Sequence, residues 1–115
     1  MSTKLPNILR QHIPAIKVLC RKHKVKKLWV FGSVLRPEDF RADSDVDFLY
    51  EMDDQNITSE ERYDCFWGFF DALTSLLDRQ IDMIWYKGIK NPYFKADVEK
   101  SKRLLYDQSS EKVSV

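Results

Sequence analysis

The segment DVDFLYEM, Asp45 to Met52, constrains this chain more than any other. Its alternation is that of a half-buried strand, with Val46, Phe48, Tyr50 and Met52 on one face and Asp45, Asp47, Leu49 and Glu51 on the other. Side chains at i and i+2 of a strand project together, so Asp45 and Asp47 share a face, about 6 to 7 Å apart along the chain. Their carboxylates repel, and a bound Mg²⁺ would relieve that cost; they can converge on one cation or straddle two. Beside a solvated acidic turn, the rival reading is a calcium loop, because Asp43, Asp45 and Asp47 fit the first, third and fifth ligand positions. It fails on Phe48, where a sharp turn needs glycine, and on Asp54, where the last ligand should be glutamate.

Two neighbouring segments extend the pattern. Leu28 to Phe31 (LWVF) is a short apolar run that suits a buried strand and ends at Gly32-Ser33. A glycine between a strand and a short helix lets backbone N–H groups approach an anion, and the Ser33 hydroxyl can donate to a phosphate oxygen. Arg79 to Tyr86 (RQIDMIWY) reads as a further strand, broken at Gly88, that sets Asp82 among Ile81, Met83, Ile84 and Trp85. An aspartate in such apolar company needs a partner, which makes Asp82 the natural third carboxylate. A phosphate cradle and metal carboxylates in one cleft suit nucleotidyl transfer from a Mg²⁺–nucleoside triphosphate.

Helical periodicity fills the rest. Apolar residues recur near a 3.6 period from Leu5 to His23, with Pro14 inside the run, so a kink or a second helix is expected there. The basic stretch Arg21 to Lys27 (RKHKVKK) reads as a solvated helix end, and His12 and His23 as surface residues. A helix starting near Thr58 or Ser59 carries the stripe Cys65, Phe66, Phe69, Phe70, Leu73, Leu76 and Leu77. Tyr63 and Trp67 beside that stripe read as partly buried core, with a partner-binding surface as the other reading. A last helix is expected from Pro92 to Leu105, capped by Asn91, followed by a frayed tail over 107–115. The fold class is α/β (α+β): a small mixed sheet of about three to four strands flanked by helices.

Composition closes off other classes. At 115 residues the chain makes one domain, 1–115. With 19 basic and 18 acidic side chains, net charge +1, bulk electrostatic capture of nucleic acid is not expected. Cys20 and Cys65 read as reduced core residues, and neither is grouped with a histidine as a zinc site requires. No apolar run approaches the roughly 20 residues that span a bilayer, and no secretory signal is legible, so a soluble cytoplasmic protein is expected.

Together, FGSVLR, RADSDVDFLYE, QIDMIW and NPYFKADVEKSKRLLYD resemble the nucleotidyltransferases of the DNA polymerase β superfamily, specifically the minimal nucleotidyltransferases paired with HEPN-domain toxins. The resemblance runs from about residue 25 to 107. It implies the nucleotidyltransferase fold, with Gly32, Ser33 and Ser44 binding the nucleotide and Asp45, Asp47 and Asp82 holding two Mg²⁺ ions. Asp82 would also help activate the acceptor hydroxyl. It implies transfer of AMP from ATP to a tyrosine of a HEPN toxin, with homo- or hetero-oligomers compatible with the reading. The gap from Val34 to Ser44, eleven residues, is one longer than the family's usual spacing, which leaves the phosphate contacts of Arg36 and Arg41 unassigned. Two other readings stay open: a non-catalytic antitoxin acting by occlusion, and a small-molecule nucleotidyltransferase.

Overall fold

The structure, a computed structural model, describes residues 5–36, 38–41 and 43–111. Pro37 and Ala42 of the PEDFRAD loop and 112–115 of the tail lie outside the described residues. The elements are α1 (Asn7–Arg10), α2 (Ile13–Lys22), β1 (Val25–Phe31), a 3-10 turn (Gly32–Leu35), β2 (Val46–Met52), α3 (Ser59–Leu77) and β3 (Ile81–Trp85). A second 3-10 turn (Tyr86–Gly88), α4 (Pro92–Ser101), β4 (Arg103–Asp107) and α5 (Gln108–Glu111) complete the order.

Local chemistry sets most boundaries. Pro14 lies in the first turn of α2, where its missing N–H is not needed, so the long periodic run divides into two helices. Thr58 and Glu61 close a reciprocal capping box on α3: Glu61 N–H donates to Thr58 Oγ1 (3.1 Å), and Thr58 N–H donates to Glu61 Oε1 (2.9 Å). Asp78, left-handed at φ 52°, ends that helix. Asn91 Oδ1 accepts from the N–H groups of Tyr93 (2.9 Å) and Phe94 (3.1 Å), and Pro92 opens α4.

The strands form one mixed sheet in the order β3-β2-β1-β4. β1 runs antiparallel to β2 and β4, whereas β2 and β3 are parallel, a pairing that needs a long crossover, here supplied by α3. The sheet is buried on both faces. On one, Leu28, Val30, Val46, Phe48 and Met52 pack with Ile16 and Cys20 of α2 and Phe69, Leu73 and Leu77 of α3. On the other, Trp29, Phe31 and Leu49 pack against Val98 of α4.

Three expectations are corrected. The final helix stops at Ser101, and Arg103–Asp107, expected as its last turn and the start of the tail, forms β4. Lys102 is already extended (φ −61°, ψ 144°), and pairing with β1 buries Leu105 and Tyr106, which outweighs the weak helical period of a short apolar run. Tyr63 and Trp67 are not core: they are 67% and 45% exposed, because the buried stripe of α3 is centred on Phe69, Leu73 and Leu77. His23 is half-buried rather than a free surface residue. Its ring packs 6.1 Å from Phe69, and a Cβ on Gly68 would lie 2.9 Å from it.

Removing the Phe69 ring from the filled core should cost about 3–5 kcal/mol in Phe69→Ala. Thr58→Ala loses only the helix cap and should cost about 1 kcal/mol. Urea unfolding followed by circular dichroism checks both the size and the order of the two effects.

Candidate active site

Sheet register gathers the carboxylates. Phe31, the last residue of β1, pairs with Asp47, and Asp47 pairs with Asp82 across the parallel β2–β3 junction. Asp45 lies just ahead of β2, where the backbone N–H of Val46 donates to the Gln80 carbonyl (3.2 Å) and holds the approaches to both strands together. Strand alternation sets Asp47 on the face of Leu49, and Asp82 on the face of Ile84, the side that packs against α4. Asp45 and Asp82 are exposed, and Asp47 is half-buried.

Gly32 joins this group directly. It leaves β1 at φ +82°, in the left-handed region, and a Cβ built on it would stand 2.6 Å from Asp47 Oδ2. A larger residue would meet both the backbone penalty and the carboxylate, so the Gly32-Ser33 turn lies against Asp47 because it begins with glycine.

The electrostatics follow from that crowding. Burial, then the charges of Asp82 and Asp45, push the Asp47 carboxyl up to about 6, while the Arg36 guanidinium pulls the other way. The closeness of the Asp82 carboxyl therefore favours the protonated form of Asp47. Among the described residues, no group of three or more His, Cys, Asp or Glu side chains converges closely enough to grip a cation as it stands. The donor set nevertheless fits Mg²⁺: hard carboxylate oxygens, clustered, with charge repulsion that a divalent cation would offset as well as a proton does.

Ser44 belongs to the loop leading into Asp45. Its Oγ accepts from the Arg41 backbone N–H (2.9 Å), and its carbonyl accepts from Arg79 Nη1 (2.9 Å). Arg79 also stacks over Phe40, 4.7 Å from the ring centroid, so one side chain from the α3–β3 junction braces the lengthened loop. Arg36 Nε donates to Asp39 Oδ2 (2.7 Å). Sequence reading missed Arg79; its place between a helix end and a strand was the available signal.

On the far side of Gly32 lies a cavity of about 470 Å³ lined by Leu35, Arg36, Lys100, Ser101, Lys102 and Arg103. Acidic side chains thus flank the Gly-Ser turn on one side and basic ones on the other. Lys100 and Lys102 also escaped the sequence reading, since the basic character of the α4–β4 corner emerges only when β4 pairs with β1.

The Asp47 shift has a sign that can be measured. A carboxyl whose folded pKa is raised from 3.8 to about 6 favours the fold when protonated, so its contribution is full below about pH 4 and lost as pH rises through about 6. Discounted for solvent screening of a half-buried group, the loss is on the order of 1 kcal/mol. Asp47→Asn should therefore stabilise the chain by about that amount near pH 8 with chelator present, and the gain should vanish near pH 4. Urea titrations at the two pH values measure it.

Comparison with known proteins shows the family. The family model "Polymerase beta, Nucleotidyltransferase" matches residues 14–111. A "Putative protein adenylyltransferase" of Methanocaldococcus jannaschii is 35% identical over 104 residues, covering 90% of this chain and 95% of that protein. A solved "putative minimal nucleotidyltransferase" superposes with a TM-score of 0.63 at 27% identity, over 83% of this chain and 90% of its own. An MNT antitoxin in complex with a tri-AMPylated HEPN toxin from Shewanella oneidensis superposes at 0.55 and 20% identity, over 89% and 76%, and so supports the fold. The chain belongs to the polymerase β nucleotidyltransferase family.

Proposed function

We propose that this protein is a Mg²⁺-dependent adenylyltransferase that moves AMP from ATP onto a tyrosine hydroxyl of a HEPN-domain toxin and so serves as its antitoxin. The observation that carries this reading is the meeting of Gly32 with Asp47, and of Asp47 with Asp82, at one end of the sheet. Support for a protein acceptor comes from the relative named as a protein adenylyltransferase, and for a toxin from the neighbour solved with its AMPylated HEPN toxin.

In this reading Gly32 and Ser33 hold phosphate oxygens, with Ser44 beside them. Arg36 and Lys100 offer positive charge to the polyphosphate from the basic cavity. Asp45, Asp47 and Asp82 would hold two magnesium ions, which when bound would supply positive charge to the α-phosphate and the pyrophosphate leaving group. The acceptor oxygen forms a bond to the α-phosphorus. The bond from that phosphorus to the bridging oxygen breaks, its electron pair leaving with pyrophosphate, and the hydroxyl proton passes to a carboxylate oxygen of Asp82. ATP and Mg²⁺ are both at hand in the cytoplasm, where we place the protein. Among the described residues no helix is long and apolar enough to cross a membrane.

Incubation with α-labelled ATP, Mg²⁺ and the toxin should label the toxin, and Asp45→Ala/Asp47→Ala should reduce transfer by roughly a hundredfold or more. Absence of labelling, or labelling undiminished in the double variant, overturns the reading. Neutralisation of a co-expressed toxin that survives in the double variant would favour occlusion instead.

A further inference from the structure

The two edges of the sheet are defended unequally. β4, one edge, has a register shift against β1 and begins with Arg103. β3, the other edge, pairs with β2 in unbroken register, and its sequence IDMIW holds no proline, lysine or bulge and a single charge, Asp82, which faces the carboxylate cluster. Natural sheets blunt free edges with such devices, because an unpaired row of N–H and C=O groups captures another strand. Among the described residues nothing pairs with the outer side of β3.

Beside this edge, on the sheet face opposite the carboxylates, opens an apolar groove of about 430 Å³ lined by Tyr50, Arg62, Tyr63, Phe66, Trp67 and Trp85. Trp85 is 41% exposed and, with Tyr63 and Trp67, gives the groove an open aromatic rim. Tyr, Trp and Arg are the side chains that dominate binding energy at protein interfaces. Asp82 and Trp85 lie three residues apart on one strand, hence about 10 Å apart and on opposite faces.

We propose that the acceptor is an extended polypeptide segment that adds as a strand to the outer edge of β3. Its hydroxyl-bearing residue faces the carboxylates, and an apolar residue three positions away enters the aromatic groove. The proposal rests on the adenylyl-transfer reading and names how that site selects its acceptor. Strand addition explains the spacing, because neighbouring side chains of an added strand alternate between the two faces. A residue three positions from the hydroxyl reaches the groove side, whereas one two positions away stays on the carboxylate side.

The test uses the full chain and fluorescein-labelled synthetic peptides carrying one tyrosine, with phenylalanine three residues before or after it, or shifted to two residues away. Anisotropy should show one three-residue peptide binding about tenfold tighter than its shifted counterpart. N-methylation of the backbone amides that face β3 should abolish binding, while methylation of the alternate amides should not. Trp67→Ala, on the exposed shoulder of α3, should weaken binding by about tenfold, and Tyr63→Ala provides a second variant of the same rim. Equal affinity for all spacings, no binding by any peptide, or insensitivity to both rim variants overturns the proposal. So does a concentration-dependent dimer of this chain that Trp85→Thr dissolves, since β3 would then pair with a second copy. Spacing-selective docking without AMP transfer from labelled ATP would remove the adenylyl-transfer reading while leaving the docking site. Transfer without spacing preference would do the reverse.

Discussion

Parallel pairing of β2 with β3 is the constraint on which the site depends. It sets Asp82 directly opposite Asp47, so two carboxyls that would repel in water are held side by side by backbone hydrogen bonds. Such a pairing requires a crossover, and α3 provides it, its ends fixed by the Thr58–Glu61 box and the left-handed Asp78. The core that packs Phe69, Leu73 and Leu77 under the sheet therefore also sustains the electrostatic strain at the sheet's end. Stability in one place supports crowding in another: burial first, then the charges of Asp82 and Asp45, raise the pKa of Asp47.

Gly32 brings the end of β1 against that strand geometry. With Asp47 Oδ2 standing 2.6 Å from where a Cβ would go, the turn after β1 can lie this close to the carboxylates only as glycine. Its other side opens on the basic corner formed by the end of α4 and the start of β4. A change of sign across one glycine suits a ligand that is anionic along one stretch and held through cations along another, as a nucleoside triphosphate is.

The two sheet faces divide the remaining labour. The face packed against α4 carries Asp47 and Asp82 at its rim, and the face packed against α2 and α3 carries the aromatic groove. Because the strand period is two, β3 contributes to both faces within a single turn-free segment, Asp82 to one and Trp85 to the other. A strand added to the open edge between them would be read on both sides at once.

Much of this was legible in the amino acids. Alternation in DVDFLYEM fixed which residues share the face of Asp47, and the helical stripe of α3, its start near Thr58 or Ser59 and the cap at Asn91 were local signals that the folded chain obeys. Local chemistry also marked Gly32 as a turn, since only glycine takes its backbone angle without strain. Other features depended on distant partners. Leu104, Leu105 and Tyr106 suit a helix end or a strand equally, and only β1 lying alongside decided for β4. Arg79 became the brace of the loop at Ser44 because residues 35 positions apart were brought together. Tyr63 and Trp67 became an exposed rim because the sheet beneath α3 filled with other side chains. The sequence by itself determined the strand that carries Asp45 and Asp47, through a period of two written in adjacent residues. The opposition of Asp82 to Asp47, the basic corner and the free edge of β3 were decided by tertiary structure, because each depends on which strands lie side by side.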